Sequence, residues 1–296
     1  MSPIAFSLFW YPIYWYGIFY MCAFLSGYLF FSWLAVTKFF MKTAPRVHRI
    51  LDRYRDDMIM RIMVWVLLWW RLWHVLIYDF AYYVQFPLKV FAFHEWGMSY
   101  IGWIVWVVTV LCWFFWYHKL SKKDILTLFD MTVVVLPFGS LLWRLWNFLN
   151  QELYGRPVVE LFPTLSNDLL DFRTSLWIFY VYPFVDTTLR LNTNIIASIT
   201  EWFLLLVIMV SSFFWLAYQQ KKSLKLSTNT PPSRRAWMLS GLFLVWYSFV
   251  RFMLEFVRQD SQYEFVWFFS RSQWFFLLFI CFWVYLIVRS GAYRTR

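Results

Sequence analysis

The chain has 296 residues, of which 62% are hydrophobic and only 15% are charged, and its formal net charge is +11. A typical soluble domain carries about 25% charged residues, so this composition excludes an ordinary soluble enzyme. Long apolar runs recur throughout and indicate a polytopic membrane protein. The basic residues flank these runs, so the lipid bilayer with its anionic headgroups is the predicted partner, and nucleic acid is not.

The apolar runs predict an all-α fold of seven transmembrane helices. The first extends to about residue 35 and has no basic residue before Lys38, so it is interpreted as an uncleaved span rather than a signal peptide. The other six are predicted at roughly 58–79, 97–118, 126–149, 196–218, 236–258 and 271–290, each about 20 residues long.

Charge in the connecting loops predicts the orientation. Alternate loops, beginning with the first, are rich in Lys and Arg, which marks the cytoplasmic side. The N-terminus is therefore expected outside and the C-terminus in the cytoplasm. Residues 1–296 are expected to form one domain, with a cytoplasmic linker at about 219–235. The long external connection at about 150–195, between spans four and five, is expected to act as an arm or lid.

The three cysteines lie within apolar runs, and we interpret them as packing residues: Cys22, Cys112 and Cys281. Their spacing suits neither a disulfide framework nor a metal site. Neither a cofactor nor a metal is expected.

The stretch Arg144–Arg156 at the end of the fourth run has the strongest functional pattern. Two arginines, two asparagines and a glutamate lie together at the edge of a span, where charged groups usually face a protein interior or a wet cavity. The alternative is that Arg144 and Glu152 anchor a helix end among the lipid headgroups.

Three arginines lie within or at the ends of spans: Arg71, Arg144 and Arg251. Guanidinium groups bind phosphate bidentately, so an anionic ligand is predicted. Glu255 follows Arg251 by four residues on the same helix face, which fits either a site or a purely structural pair. Arg144 and Asn147 are three residues apart and can project together. These residues predict a polar pocket in the outer half of the bilayer for a phospholipid headgroup.

A general base is harder to identify. His74 and His94 are candidates because histidine is the usual base, although packed or interfacial roles are the alternative. His118 borders a basic loop and is expected to be a solvated cap.

These segments resemble the prolipoprotein diacylglyceryl transferase family. Residues 143–156, W-R-L-W-N-F-L-N-Q-E-L-Y-G-R, are similar to the family signature G-R-x-G-N-F-x-N-x-E-x-x-G-R. Other similar segments follow the family order along the chain: Trp15–Gly17, Arg71–Tyr78, Glu95–Trp103, Asp130 with Pro137–Gly139, and Ser240–Gln259.

The resemblance implies a reaction. Such an enzyme transfers the diacylglyceryl group of phosphatidylglycerol to the lipobox cysteine in the signal peptide of a preprolipoprotein and releases glycerol phosphate. It is expected in the bacterial cytoplasmic (inner) membrane as a multi-pass protein. By position, Arg144 and Arg251 would bind phosphate, and Glu255 would orient Arg251. The other implied catalytic or substrate-binding residues are Tyr16, Arg71, Asn147, Glu152, Gly155 and Arg156.

The chain also departs from the family pattern. The histidine expected to be the base is replaced by Ile101, and only Glu201 remains of the motif H-P-S-Q-L-Y-E. Activity could therefore depend on another base or on thiolate stabilisation by arginine. A catalytically inactive phospholipid-binding protein and a transporter are the alternatives.

Tryptophan stands at nine positions where family glycines are expected: Trp69, Trp70, Trp73, Trp96, Trp103, Trp106, Trp143, Trp146 and Trp246. Glycine allows close helix packing, and indole overfills such a site. Either the protein is truly rich in tryptophan, or its gene uses UGA for glycine and the codon was read as tryptophan. We favour the second interpretation.

Overall fold

The computed structural model describes residues 4–77, 80–91, 109, 111–164, 177–225, 238–259 and 265–292. These residues are mostly helical, in agreement with the predicted class. Several predicted features lie outside the described residues: His94, Glu95–Trp103 with Ile101, Trp106, and most of the cytoplasmic linker.

The chain divides into two compact units. The first comprises Met1–Gly27 and Thr127–Arg296, and the second comprises Tyr28–Leu126. All of the predicted site residues except Arg71 belong to the first unit.

Three described helices are long and apolar enough to cross a membrane. They are α1 (Trp15–Val36), α5 (Lys122–Leu149) and the continuous helix Thr193–Gln219. Shorter apolar helices occur at Met238–Leu254 and Ser272–Val284. The predicted fourth and fifth spans therefore agree with the observed helices to within a few residues. The complete seven-span arrangement stays a prediction.

The fold is not strictly all-α, because the described residues include three two-stranded antiparallel hairpins. The first pairs β1 (Ile4–Leu8) with β2 (Tyr11–Tyr14), so the first membrane helix begins only at Trp15. Pro12 lies in β2, and proline is disfavoured in a helix interior because it has no backbone N–H. The others pair β3 (Phe179–Val181) with β4 (Leu189–Leu191), and β5 (Phe265–Val266) with β6 (Phe269–Ser270).

The second unit contains α2 (Pro45–Arg53), α3 (Arg55–Ile77), α4 (Phe80–Gln85) and a 3₁₀ turn at Pro87–Phe91. Helix α2 is amphipathic, and Val47, Ile50 and Leu51 on one face are buried. His118 was expected to be a solvated cap. It is instead half-buried, with its ring 4.3 Å from Phe114 and 4.5 Å from Tyr54.

The first unit holds the remaining helices. Helix α6 (Val158–Leu161) follows α5, and α7 (Thr193–Ala197) continues through a π-helical segment (Ser198–Phe203) into α8 (Leu204–Lys225). Helices α9 (Met238–Leu254) and α10 (Arg271–Ala292) complete it and pack together.

Two contacts fix α5 within this unit. A Cβ atom added at Gly139 would lie 3.2 Å from Ala23 Cβ, so α5 approaches α1 closely. Asp130 Oδ1 accepts hydrogen bonds from the backbone N–H and the hydroxyl of Ser240, at 2.9 and 2.8 Å. This bond joins the first half of α5 to the start of α9, the two helices that carry Arg144 and Arg251 further along.

Candidate functional site: a buried arginine–carboxylate cluster

The predicted site is assembled from three parts of the first unit: the end of α5, the π-helical segment before α8, and the end of α9. Arg144 Nη2 on α5 lies 3.4 Å from Glu201 Oε2 in the π-helical segment, and both side chains are buried. Arg251 Nη2 on α9 lies 2.8 Å from Glu255 Oε1. π-Helical turns are rare and occur frequently at functional sites.

The two ion pairs belong to one cluster. Arg144 interacts electrostatically with Glu201, Arg251 and Arg258, and Glu201 also interacts with Glu255. Arg258 is buried, as are Arg144 and both glutamates. Within the described residues the cluster brings three guanidinium groups close to two carboxylates, and the side chain of Arg251 is partly exposed. Guanidinium groups in this arrangement suit an anionic ligand such as a phosphate.

Polar atoms without partners point to the same ligand site. Asn147 is buried one turn beyond Arg144 on α5, and its Nδ2 donates no hydrogen bond to any described residue. Glu201 Oε1 likewise accepts none within the described part of the chain. A buried polar group left unpaired costs about 1–3 kcal/mol, so such groups usually meet a ligand or water.

The chain after α5 turns sharply at Gln151 and Leu153, whose φ angles are 57° and 53°. In this turn the Glu152 backbone N–H donates to Asn147 O at 2.9 Å, and Asn150 Nδ2 donates to Glu152 Oε1 at 3.0 Å. Asn194 Nδ2 donates to the Glu152 backbone oxygen at 2.7 Å. Burial raises the pKa of Glu152, and the Asn150 hydrogen bond opposes that shift. The turn therefore connects the end of α5 to the start of α7.

Gly155 lies where two backbone segments meet. Its N–H donates to Leu191 O at 3.1 Å, and the next residue, Arg156, donates through its N–H to Val257 O at 3.0 Å. A Cβ atom at position 155 would lie only 2.4 Å from Leu191 O. Only glycine allows this approach, which joins the turn after α5 to β4 on one side and to the end of α9 on the other.

Arg190 holds the same region from β4. Its Nη1 donates to Gly155 O at 3.3 Å, its Nη2 pairs with Asp186, and its guanidinium lies 4.9 Å from the ring centroid of Tyr154. The hydrogen bond from Arg190 lowers the pKa of Asp186. Side chains from the segment around β4 therefore hold the backbone beside the arginine cluster.

The structure brings together part of the predicted set. Arg144, Asn147, Arg251 and Glu255 contribute to the buried cluster, and Glu152 and Gly155 form the adjoining turn. The Tyr16 ring lies 5.5 Å from that of Trp146 on α5.

Two predicted residues are not part of the cluster as described. The guanidinium of Arg156 lies 3.4 Å from Glu160 on a half-exposed surface. Arg71 lies in α3 of the second unit, and its side chain is outside the described residues, as is that of His74.

Sequence reasoning missed three contributors. Glu201 was noted only as the remnant of a motif, and neither Arg190 nor Arg258 was singled out. Arg258 lies beyond the end of α9 in an isolated β-bridge with Gly155, so helical spacing from Arg251 could not have identified it. Asp186 lies four residues before Arg190, but the other Arg190 contacts, with Tyr154 and Gly155, join residues far apart in the sequence.

Three tryptophans at expected glycine positions are described in the first unit. Trp146 is buried beside Tyr16, and the partly exposed Trp143 lies 5.9 Å from the ring of Tyr20. Trp246 Nε1 donates to Thr200 O at 3.2 Å, next to Glu201. Of these three, Trp246 is thus placed beside the segment that carries Glu201, whereas Trp143 and Trp146 contact tyrosines of α1.

Comparison with known proteins supplies an independent assignment. The family model for prolipoprotein diacylglyceryl transferase matches residues 3–289. The chain is 28% identical over 292 residues to the phosphatidylglycerol–prolipoprotein diacylglyceryl transferase of Polynucleobacter asymbioticus, covering 97% of this chain and 94% of that protein. It is 30% identical to the protein of that name from Aeromonas hydrophila (88% and 80%) and 26% identical to that from Ehrlichia canis (82% and 78%).

Proposed function

We propose, since the chain belongs to the prolipoprotein diacylglyceryl transferase family, that it transfers the diacylglyceryl group of phosphatidylglycerol to a prolipoprotein. The observation that carries the proposal is the cluster of Arg144, Arg251 and Arg258 with Glu201 and Glu255, where three guanidinium groups converge. Guanidinium groups bind phosphate oxygens, and the phosphodiester of phosphatidylglycerol supplies such oxygens with one negative charge.

The acceptor in this proposal is the thiol of the lipobox cysteine. The sulfur attacks the glyceryl carbon that bears the phosphate, and glycerol phosphate leaves. Negative charge then accumulates on the departing phosphate, so fixed donors around it lower the barrier. Arg144 and Arg251 supply that stabilisation, and the buried Asn147 Nδ2 offers a further donor to the headgroup.

The remaining predicted residues have supporting roles. Glu255 orients Arg251 through their 2.8 Å ion pair. Glu152 and Gly155 shape the turn after α5, and Tyr16 lines the site from α1. Arg71 and Arg156 are proposed to bind substrate outside the cluster.

The membrane arrangement is also a proposal. Seven spans in the bacterial inner membrane, with the N-terminus outside, agree with the loop charges and with the three long apolar helices. In this arrangement the turn after α5 and the external connection face the outer leaflet, where phospholipid and the signal peptide can both reach the arginines.

The test is thioether formation by the full-length protein in phosphatidylglycerol vesicles with a lipobox peptide. Replacing Arg144 by Gln should lower product formation by a factor of 100 or more, on the order of the loss when one transition-state donor is removed. The control is Arg61→Gln, because Arg61 forms an exposed pair with Asp57 in the second unit.

Two outcomes would contradict the proposal. If wild type and Arg144→Gln had equal activity, Arg144 would not be needed to stabilise the departing phosphate. Saturable binding of phosphatidylglycerol without any thioether product would instead indicate a lipid-binding protein that has lost catalysis.

A further inference from the structure

We propose that Glu201 accepts the proton of the substrate thiol; this inference rests on the function proposed above. The nucleophile in such a transfer is the thiolate rather than the thiol, and an unperturbed cysteine has a pKa of about 8.5. Near neutral pH the reaction therefore needs a proton acceptor close to the phosphate site. Glu201 lies in the π-helical segment beside Arg144, and its side chain is completely buried.

The two carboxylate oxygens of Glu201 have different surroundings. Oε2 lies 3.4 Å from Arg144 Nη2, whereas Oε1 has no hydrogen-bond donor among the described residues. A buried acceptor without a partner is costly unless a ligand brings a donor, and a thiol S–H is such a donor. Nearby carboxylates are already engaged: Glu255 Oε1 pairs with Arg251, and Glu152 Oε1 accepts from Asn150.

Phosphate binding would make Glu201 a better base. Without a bound phosphate, the positive charge of the three arginines opposes proton uptake by Glu201. A phosphodiester that takes hydrogen bonds from Arg144 competes with the Arg144–Glu201 contact, which is 3.4 Å long. The negative charge of the phosphodiester also offsets the positive charge of the arginines at Glu201. Proton acceptance by Glu201 should therefore follow phospholipid binding rather than precede it.

The step is balanced in atoms and charge. The thiol proton moves to Glu201 Oε1 while the sulfur electron pair forms a bond to the glyceryl carbon. The bond from that carbon to the phosphate oxygen breaks, and its electron pair leaves with glycerol phosphate, which becomes a dianion. Glu201 loses one negative charge as the phosphate gains one. The total charge of the cluster and phosphate is therefore the same before and after the transfer, so the step adds no net charge to the buried site.

The experiment compares two acceptor peptides in one protein sample. One peptide carries the lipobox cysteine, and the other carries selenocysteine, whose selenol is already ionised near neutral pH and needs no base. Glu201→Gln keeps the size of the side chain and removes the basic carboxylate. The ratio of the two rates within each sample does not depend on how much of the variant is folded. Glu160→Gln is the matched control, because Glu160 is exposed and outside the cluster.

Glu201→Gln should lower the cysteine-peptide kcat by a factor of 100 or more, the usual contribution of a general base, but should slow the selenocysteine peptide far less. The cysteine-peptide rate of the variant should also rise with pH toward the thiol pKa, whereas the wild-type rate levels off. Glu160→Gln should keep the wild-type ratio.

Three results would overturn the inference. An equal loss of kcat with both peptides would indicate that Glu201 positions Arg144 and does not accept the proton. A change confined to the KM for phosphatidylglycerol would indicate the same. An unchanged cysteine-peptide kcat would exclude any role as base. A wild-type protein that makes no thioether with either peptide would remove the proposed function itself, which distinguishes that failure from the failure of Glu201 alone.

Discussion

Two ion pairs with the same spacing and length lie in very different surroundings. Arg61–Asp57 in the second unit and Arg251–Glu255 in the first are both four residues apart and both have a shortest N···O distance of 2.8 Å. The side chains of the first pair are 43% and 45% exposed, and those of the second are 13% and 4% exposed. The sequence spacing is the same, so the difference in their roles must come from burial.

Burial changes what each pair can do. Water and salt screen an exposed pair, whose contribution to stability is typically about 0–1 kcal/mol. A buried pair strengthens in the low-dielectric interior but leaves a costly isolated charge when one partner is removed. In the proposed function Arg251 of the buried pair binds the phosphate, whereas no function is proposed for the exposed pair at the start of α3.

Breaking the buried pair should have the largest effect. Glu255→Ala leaves Arg251 without its partner, and we expect a loss of about 3–5 kcal/mol in the free energy of unfolding together with strongly reduced thioether formation. Thermal stability in vesicles and the product assay measure the two effects. An unchanged melting temperature and rate would mean that burial does not distinguish the two pairs.

The same contrast applies to uncharged positions. Gly155→Ala places a Cβ atom 2.4 Å from Leu191 O, so the backbone beside the cluster must shift at a cost of about 1–3 kcal/mol. We expect a marked loss of activity, because that backbone joins α5 to α9. Gly27→Ala is the matched control. Among the described residues, no atom outside its own stretch of helix lies within 4 Å of the added Cβ, and alanine favours the helix. Similar losses in both variants would show that the close approach at Gly155 does not matter.

A third pair, Arg190–Asp186, has intermediate exposure, with side chains 11% and 33% exposed. Its hydrogen bond lowers the pKa of Asp186 in the folded protein. Its contribution to stability should therefore be fully present above the unfolded pKa of about 3.9 and should be lost as the pH falls through the lower folded pKa. Melting temperatures measured as a function of pH should fall at acid pH in wild type and should fall less in Asp186→Asn. Parallel curves for the two proteins would contradict this prediction.

The sequence predicted contacts that follow from local spacing. The Arg251–Glu255 pair follows from the four-residue spacing of neighbouring positions on a helix. The three-residue spacing of Arg144 and Asn147 predicted that both project to one side of α5, and both are buried. The Arg144–Glu201 pair joins residues 57 positions apart, and its formation depends on how α5 packs against the segment before α8. The contacts of Arg190 with Tyr154 and Gly155 depend on tertiary packing in the same way, so local pattern could not reveal them.

The tryptophans at expected glycine positions allow a test of whether the sequence was translated with the correct genetic code. If UGA encodes glycine in this lineage, mass spectrometry of the natural protein should find glycine at positions 143, 146 and 246 and tryptophan at position 15. The Trp146 ring beside Tyr16 would then be absent, so the space next to Tyr16 would be larger than in the structure described above. Tryptophan at all four positions would instead mean that indoles fill the surroundings of the arginines.

Breaking the exposed pair should have the smallest effect. Asp57→Ala removes a carboxylate that water already solvates, so we expect a change of less than about 1 kcal/mol in the free energy of unfolding and an unchanged rate of product formation. Any loss should also disappear at high salt, because salt screens exposed charges. A loss as large as that of Glu255→Ala, and insensitive to salt, would mean that the Arg61 pair is buried by something beyond its own unit. The contrast between the two pairs would then no longer support a specialised role for Arg251.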